Sequence, residues 1–126
     1  LTGDAKYLQK AEGIWRWFNA SGMINDQGLV NDGLDVGSCR NNGQLPWTYN
    51  QGVILGGLVK LHQATDDASY LQQALEIAEA ALANLVASDG VLEEVLMADS
   101  DQVQFKGIFV RHLRMLMNVV PGTPAW

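Results

Sequence analysis

The chain has 126 residues, a net charge of −6, a sequence pI near 4.6 and 48% hydrophobic residues, enough for one modest core and too few for two ordinary domains. Its eight Lys and Arg are scattered singly, so no basic stripe exists to neutralise phosphates, and nucleic acid is excluded as a partner. The longest apolar run, Gly52 to Lys60, meets a charge after about nine residues where a bilayer crossing needs ~20, so no membrane span is expected in this segment.

The first segment, Thr2-Gly3-Asp4-Ala5-Lys6-Tyr7-Leu8-Gln9-Lys10-Ala11, has an acid placed to cap free backbone N–H groups ahead of an amphipathic stripe of Tyr7, Leu8, Ala11, Ile14, Trp15 and Phe18. It predicts a helix ending near Ser21-Gly22. Asn19-Ala20-Ser21 is an N-glycosylation triplet at Asn19. The chain opens on Leu in what reads as a turn between two helices, and it is expected to be a segment of a longer domain.

Residues 22–46 are too long and particular for a plain connector, and long loops at one end of a helical array tend to form binding surfaces. Asn31-Asp32-Gly33 with Asp35 reads either as a turn bonding its own backbone or as a ligand contact; the spacing fits no EF-hand. Cys39 has no His support as a nucleophile and reads as a structural thiol or one half of a disulfide. With the Asn19 triplet it points towards secretion.

Pro46-Trp47-Thr48-Tyr49-Asn50-Gln51 opens the next helix, expected over Tyr49–Gln63, whose Val53, Ile54, Leu55, Leu58, Val59 and Leu61 leave almost no polar face. Such a helix belongs inside, and a helix with one apolar stripe outside. Trp47 and Tyr49 either close the core or offer platforms to sugar C–H faces, with Asn50 and Gln51 bonding hydroxyls on the rim.

The opening segment then returns as Thr65-Asp66-Asp67-Ala68-Ser69-Tyr70-Leu71-Gln72-Gln73-Ala74, an offset of 65 − 2 = 63 residues that also pairs Ile14 with Ile77. Tyr70, Leu71, Ala74, Ile77, Ala78, Ala81, Leu82 and Leu85 mark one face of an outer helix. Asp66-Asp67, by analogy with Asp4, is a cap in solvent. Glu93, Glu94, Asp99 and Asp101 form an acidic, solvated connector. A last helix, about Val103–Val119, carries Ile108, Phe109, Val110, Leu113, Leu116 and Met117 and is expected to be the next inner one. Lys106 and Arg111 on it either support an active site from behind or make ion pairs. His62 and His112 have no metal-ligand spacing; no metal and no cofactor are implied.

The stretch WTYNQGVILGGLVKLHQATDDASYLQQALEIAEAAL, with Gly28 to Leu34, Cys39, Asn41-Asn42-Gly43 and Gln104 to Arg111, resembles glycoside hydrolase family 76, the endo-α-1,6-mannanases and fungal cell-wall mannosidase-like proteins. The resemblance implies an all-α fold, part of an (α/α)6 barrel of inner and outer helices, with a glycan groove at one end and a secreted or cell-wall location. It also implies a retaining mechanism with two adjacent aspartates about 5–5.5 Å apart, one the nucleophile and the other the acid and base. That pair is expected before Leu1, at the place that Tyr49-Asn50 takes one unit later, so residues 1–126 are expected to be an incomplete part of one catalytic domain.

On this reading Asn31, Asp32, Trp47, Tyr49, Asn50 and Gln51 bind α-1,6-mannan, and Lys106 and Arg111 stand behind them. The partners implied are that glycan and the rest of the barrel. Two other readings stay open: a cell-wall transglycosidase of the same fold, and a non-catalytic helical array that binds a glycan or a protein.

Overall fold

The computed structural model describes residues 3–94 and 101–122. Four α-helices carry the fold: α1 (Ala5–Ala20), α2 (Thr48–Thr65), α3 (Ser69–Leu85) and α4 (Phe105–Met117), the last preceded by a 3-10 turn at Asp101–Gln104. Among the described residues the only extended pairings are isolated bridges, so the chain is all-α.

Each helix starts and stops for a local reason. The Asp4 side chain accepts from the Lys6 N–H at 3.0 Å, and α1 ends where the Ser21 hydroxyl and N–H both return to the Phe18 carbonyl. Helix α2 ends at Asp66, whose φ of 59° breaks the helix while its N–H still reaches the His62 carbonyl. Asp67 then accepts from the Ser69 N–H at 2.8 Å and opens α3. The Asp66-Asp67 pair is thus one stop and one start in solvent, as its repeat partner Asp4 suggests.

Helix α2 lies between α3 and α4, and its Leu55, Leu58, Val59 and Leu61 meet Ala74, Ile77, Ala78, Ala81 and Leu85 of α3 and Phe109 and Leu116 of α4 in one core. Two glycines set the α2–α4 distance. A Cβ on Gly52 would stand 2.6 Å from the Phe109 Cα, and one on Gly56 2.2 Å from the His112 ring. Only hydrogen at both positions lets the helices approach this closely.

The repeat is unequal in burial. Ile77 of α3 is 3% exposed, whereas its partner Ile14 in α1 is 65% exposed, as are Tyr7 and Trp17 to more than half. Between α1 and α2 runs an apolar groove of about 280 Å³, lined by Ala11, Ile14, Phe18, Val53, Ile54 and Gly57 among others. Helix α2 is therefore not covered on all sides. Helix α4, expected to be inner, buries one stripe only; Val110 and Arg111 face solvent among the described residues.

The loops repeat as well. After α1, Met23 to Asn31 forms a small hairpin with a bridge at Ile24–Val30; after α3, Leu85 to Glu93 forms another with a bridge at Val86–Leu92. Three backbone bonds of the first, Asn25 to Leu29, Gly28 to Asn25 and Asn31 to Met23, recur in the second as Ala87 to Val91, Gly90 to Ala87 and Glu93 to Leu85. Every pair is displaced by 62 (87 − 25, 90 − 28, 93 − 31). Gly28 and Gly90 hold the same turn with φ of 76° and 84°, a conformation that favours glycine. The offset drops from 63 in the helices to 62 here, so the second copy is one residue shorter between helix and hairpin.

Candidate glycan site at the mouth of helix α2

The first turn of α2 gathers most of the residues that the sequence points to. Tyr49 lies against Phe105 with ring centroids 4.5 Å apart, and Trp47 meets the same ring edge-on at 5.7 Å. This three-ring cluster joins α2 to the start of α4. Tyr49 is half-buried, and the exposed carboxylate of Asp32 lies close enough for its charge to act on the phenol. Burial first, and then the nearby Asp32 carboxylate, push the Tyr49 phenol above its ordinary value of 10.0. The phenol therefore stays a neutral donor, and the carboxylate keeps acceptor capacity turned to solvent.

Gln51 has a different role from the expected hydroxyl contact. It is fully buried; its Oε1 accepts from the Val30 N–H at 2.8 Å, and its Nε2 donates to the carbonyls of Val30 at 2.8 Å and Trp47 at 3.0 Å. An amide so engaged ties the first hairpin to α2 and has no donor to offer a sugar. Asn31 is likewise turned inward and 6% exposed: its Oδ1 accepts from Asn25 and Asn41, each at 3.0 Å, and its Nδ2 donates to the Gln44 carbonyl. It is the hub of the loop. The amide-lined hollow beside it, bounded by Asn25, Asn41 and Gln44, is thus a region whose Asn25, Asn31 and Asn41 amides bond one another and the local backbone.

Asn50 differs from both, because its Nδ2 is buried without a hydrogen-bond partner. A buried donor left unpaired is destabilising by about 1–3 kcal/mol, so the position is held by the surrounding helix and not by its own bonding. Asp35 makes the turn alternative concrete, with one carboxylate oxygen accepting from both the N–H and the hydroxyl of Ser38 at 2.8 Å. Those bonds hold its carboxyl below the usual 3.8.

Lys106 is half-buried beside the ring cluster in sequence, Arg111 is exposed, and neither forms an ion pair among the described residues. The acidic connector also departs from expectation: Glu94, read as solvated, accepts from both the N–H and the hydroxyl of Thr48. Glu93 is exposed, Asp101 lies in the 3-10 turn, and Asp99 falls outside the described residues.

His62 reaches the Asp67 carbonyl at 3.0 Å, and His112 the Ile108 carbonyl at 2.9 Å while packing on Gly56. Cys39 is an exposed thiol at φ 54°, and Asn19 is exposed in the last turn of α1. Among the described residues no group of three or more His, Cys, Asp or Glu could hold a metal, and no helix is long and apolar enough to cross a membrane.

Comparison with known proteins adds an independent line. The family model described as glycosyl hydrolase family 76 matches residues 1–126. Mannan endo-1,6-alpha-mannosidase DCW1 of Eremothecium gossypii is 31% identical over 95% of this chain and 28% of its own length. Mannan endo-1,6-alpha-mannosidase DFG5 of Saccharomyces cerevisiae is 30% identical over 97% and 28%. Among solved structures, the Lin0763 protein from Listeria innocua superposes with a TM-score of 0.78 at 27% identity, over 94% of this chain and 34% of that one. The chain thus spans under a third of the length of these curated relatives.

Proposed function

Since the chain belongs to glycosyl hydrolase family 76, we propose that the whole protein is a mannan endo-1,6-α-mannosidase, secreted or held at the cell wall, and that residues 1–126 form one wall of its glycan groove. The observation that carries this reading is the Asp32–Tyr49 pair set beside the Trp47 and Phe105 rings. A sugar needs both halves of that arrangement. Flat C–H patches of the ring pack on aromatic faces, and hydroxyl donors meet an exposed carboxylate at their edge.

Bond cleavage is assigned to an adjacent pair of aspartates outside residues 1–126, acting by double displacement with retention. In that division of labour Asp32, Trp47 and Tyr49 hold and orient the glycan. Asn50, whose unpartnered Nδ2 is buried, supports the same turn from within. Asn31 and Gln51 shape the wall from within, and Lys106 braces the side where α4 begins. Asn19 is proposed as a glycan acceptor, read out as a mass decrease on treatment with an endoglycosidase.

The test uses the full-length protein and α-1,6-mannan. Cleavage is expected, with Asp32→Asn and Tyr49→Phe each raising KM by about three- to tenfold through loss of binding that is uniform to ground and transition states. Absence of any product from wild-type protein, or variants indistinguishable from it, would overturn the reading.

A further inference from the structure

Helix α2 begins without a cap of its own. Trp47 holds the N-cap position and makes no side-chain cap bond, and the Thr48 that follows is completely buried with a hydroxyl and an N–H to satisfy. Both donate to one carboxylate, that of Glu94, which comes from a loop 46 residues further on. A negative group at a helix N-terminus is favourable twice over, through charge-assisted bonds and through the helix dipole.

The place of Glu94 in the repeat gives this contact a meaning beyond capping. It leaves the second hairpin one residue after Glu93, as Asp32 leaves the first one residue after Asn31, and 94 − 32 is again 62. Equivalent acids from successive hairpins therefore approach neighbouring residues of one helix: Asp32 lies by the phenol of Tyr49, and Glu94 takes the backbone N–H and hydroxyl of Thr48.

We propose that Glu94 is a positioning residue for glycan binding, one that touches no substrate and fixes the first turn of α2 so that Trp47 and Tyr49 are presented in one orientation. The proposal rests on the glycan groove reading above. Loss of the clamp frees that turn, weakens sugar binding and leaves the bond-breaking step nearly untouched. Thr48 is the other half of the device, and its hydroxyl matters more than its methyl.

The full-length protein tests this with wild type, Glu94→Gln, Glu94→Ala, Thr48→Val and Thr48→Ser. Three readouts serve: Kd for α-1,6-linked mannotetraose, the separate kcat and KM on mannan, and amide hydrogen exchange in the peptide covering residues 47–52. Glu94→Ala and Thr48→Val are expected to weaken tetraose binding about tenfold and raise KM to match, with kcat within about threefold and exchange in 47–52 faster. Thr48→Ser should restore wild-type behaviour, and Glu94→Gln, which keeps one acceptor, should fall between. Unchanged Kd with unchanged exchange sinks the proposal, and so does a kcat loss of about a thousandfold at constant KM, which marks a catalytic acid or base instead. If wild type neither binds the tetraose nor cleaves mannan, the groove reading fails by itself; the exchange data then decide the clamp, supporting it if 47–52 loosens in Glu94→Ala and ending it if not.

Discussion

Gln51 grips Val30 by both backbone groups, accepting from its N–H and donating to its carbonyl at 2.8 Å each, as a neighbouring strand would. One side chain thus supplies a fully buried segment with the pairing that a sheet gives elsewhere. Gln51→Leu keeps the volume and strands the Val30 N–H and C=O, each an unpaired buried group worth roughly 1–3 kcal/mol. The midpoint of urea unfolding is expected to fall markedly, and an unshifted midpoint would show that water replaces the amide.

Gly52, Gly56 and Gly57 separate close packing from helix propensity. A Cβ at Gly52 meets the Phe109 backbone, which cannot turn aside, so Gly52→Ala is expected to destabilise by about 1–3 kcal/mol. Gly56→Ala drives the His112 ring from its place and should behave similarly. At Gly57 nothing lies within 4 Å, and alanine there should be neutral or gain up to ~1 kcal/mol through propensity alone. Denaturant titration of the three variants checks the order; equal effects would contradict the α2–α4 packing.

The Tyr49 phenol provides a spectroscopic handle. Its raised value means that the neutral form is favoured in the fold, so its contribution to stability is complete below pH 10 and declines as the pH rises through the folded-state value. Phenolate absorbance should show one of the three tyrosines titrating late, and Tyr49→Phe should remove that step. Asp32→Asn deletes the neighbouring charge and should draw the step back towards 10.0. A late step indifferent to Asp32→Asn would assign the shift to burial alone.

At the acid end the caps behave in the opposite sense. The Asp67 carboxyl is held below 3.8 by its bonds from the Ser69 backbone and side chain, with a smaller contribution from His62, and that of Asp4 by Lys6. Their stabilisation is present above pH 3.8 and lost as the pH falls through the folded-state values. Carboxyl chemical shifts followed by NMR from pH 6 to 2 report this directly, and titration at the ordinary value would remove both caps from the account.

The groove between α1 and α2 bears on how the 126-residue chain behaves alone. Ile14, Trp17 and Val53 are each more than half exposed, and contiguous apolar surface of this kind drives association. Sedimentation is expected to show concentration-dependent self-association, reduced by Ile14→Glu or Val53→Glu; a monomer at all concentrations would refute it.

Helices and their caps were legible from the residues because periodicity and capping act within one turn, and Asp4 and Asp67 each did the work their position suggests. The aromatic cluster was legible in part: Trp47 and Tyr49 both stand at the helix mouth, each against the ring of Phe105. Asn31 and Gln51 were not, since an amide bonds a sugar hydroxyl and a distant peptide group with the same atoms, and only the fold shows which is near. Glu94 was missed for a related reason, because its partner Thr48 is remote in sequence. A signal for it existed: Gly28-Leu29-Val30-Asn31-Asp32 and Gly90-Val91-Leu92-Glu93-Glu94 align once a single gap is admitted after the 63-residue register of the helices.

Thr48 and Gln51 lie in the same first turn of α2, and that turn is where the two hairpins meet. The first hairpin is held there by Gln51 through both backbone groups of Val30, and the second by Glu94 through the N–H and hydroxyl of Thr48. Neighbouring repeats of the fold are therefore linked at their rims as well as through their core, and a change made in one loop has a direct route to the shape of the next.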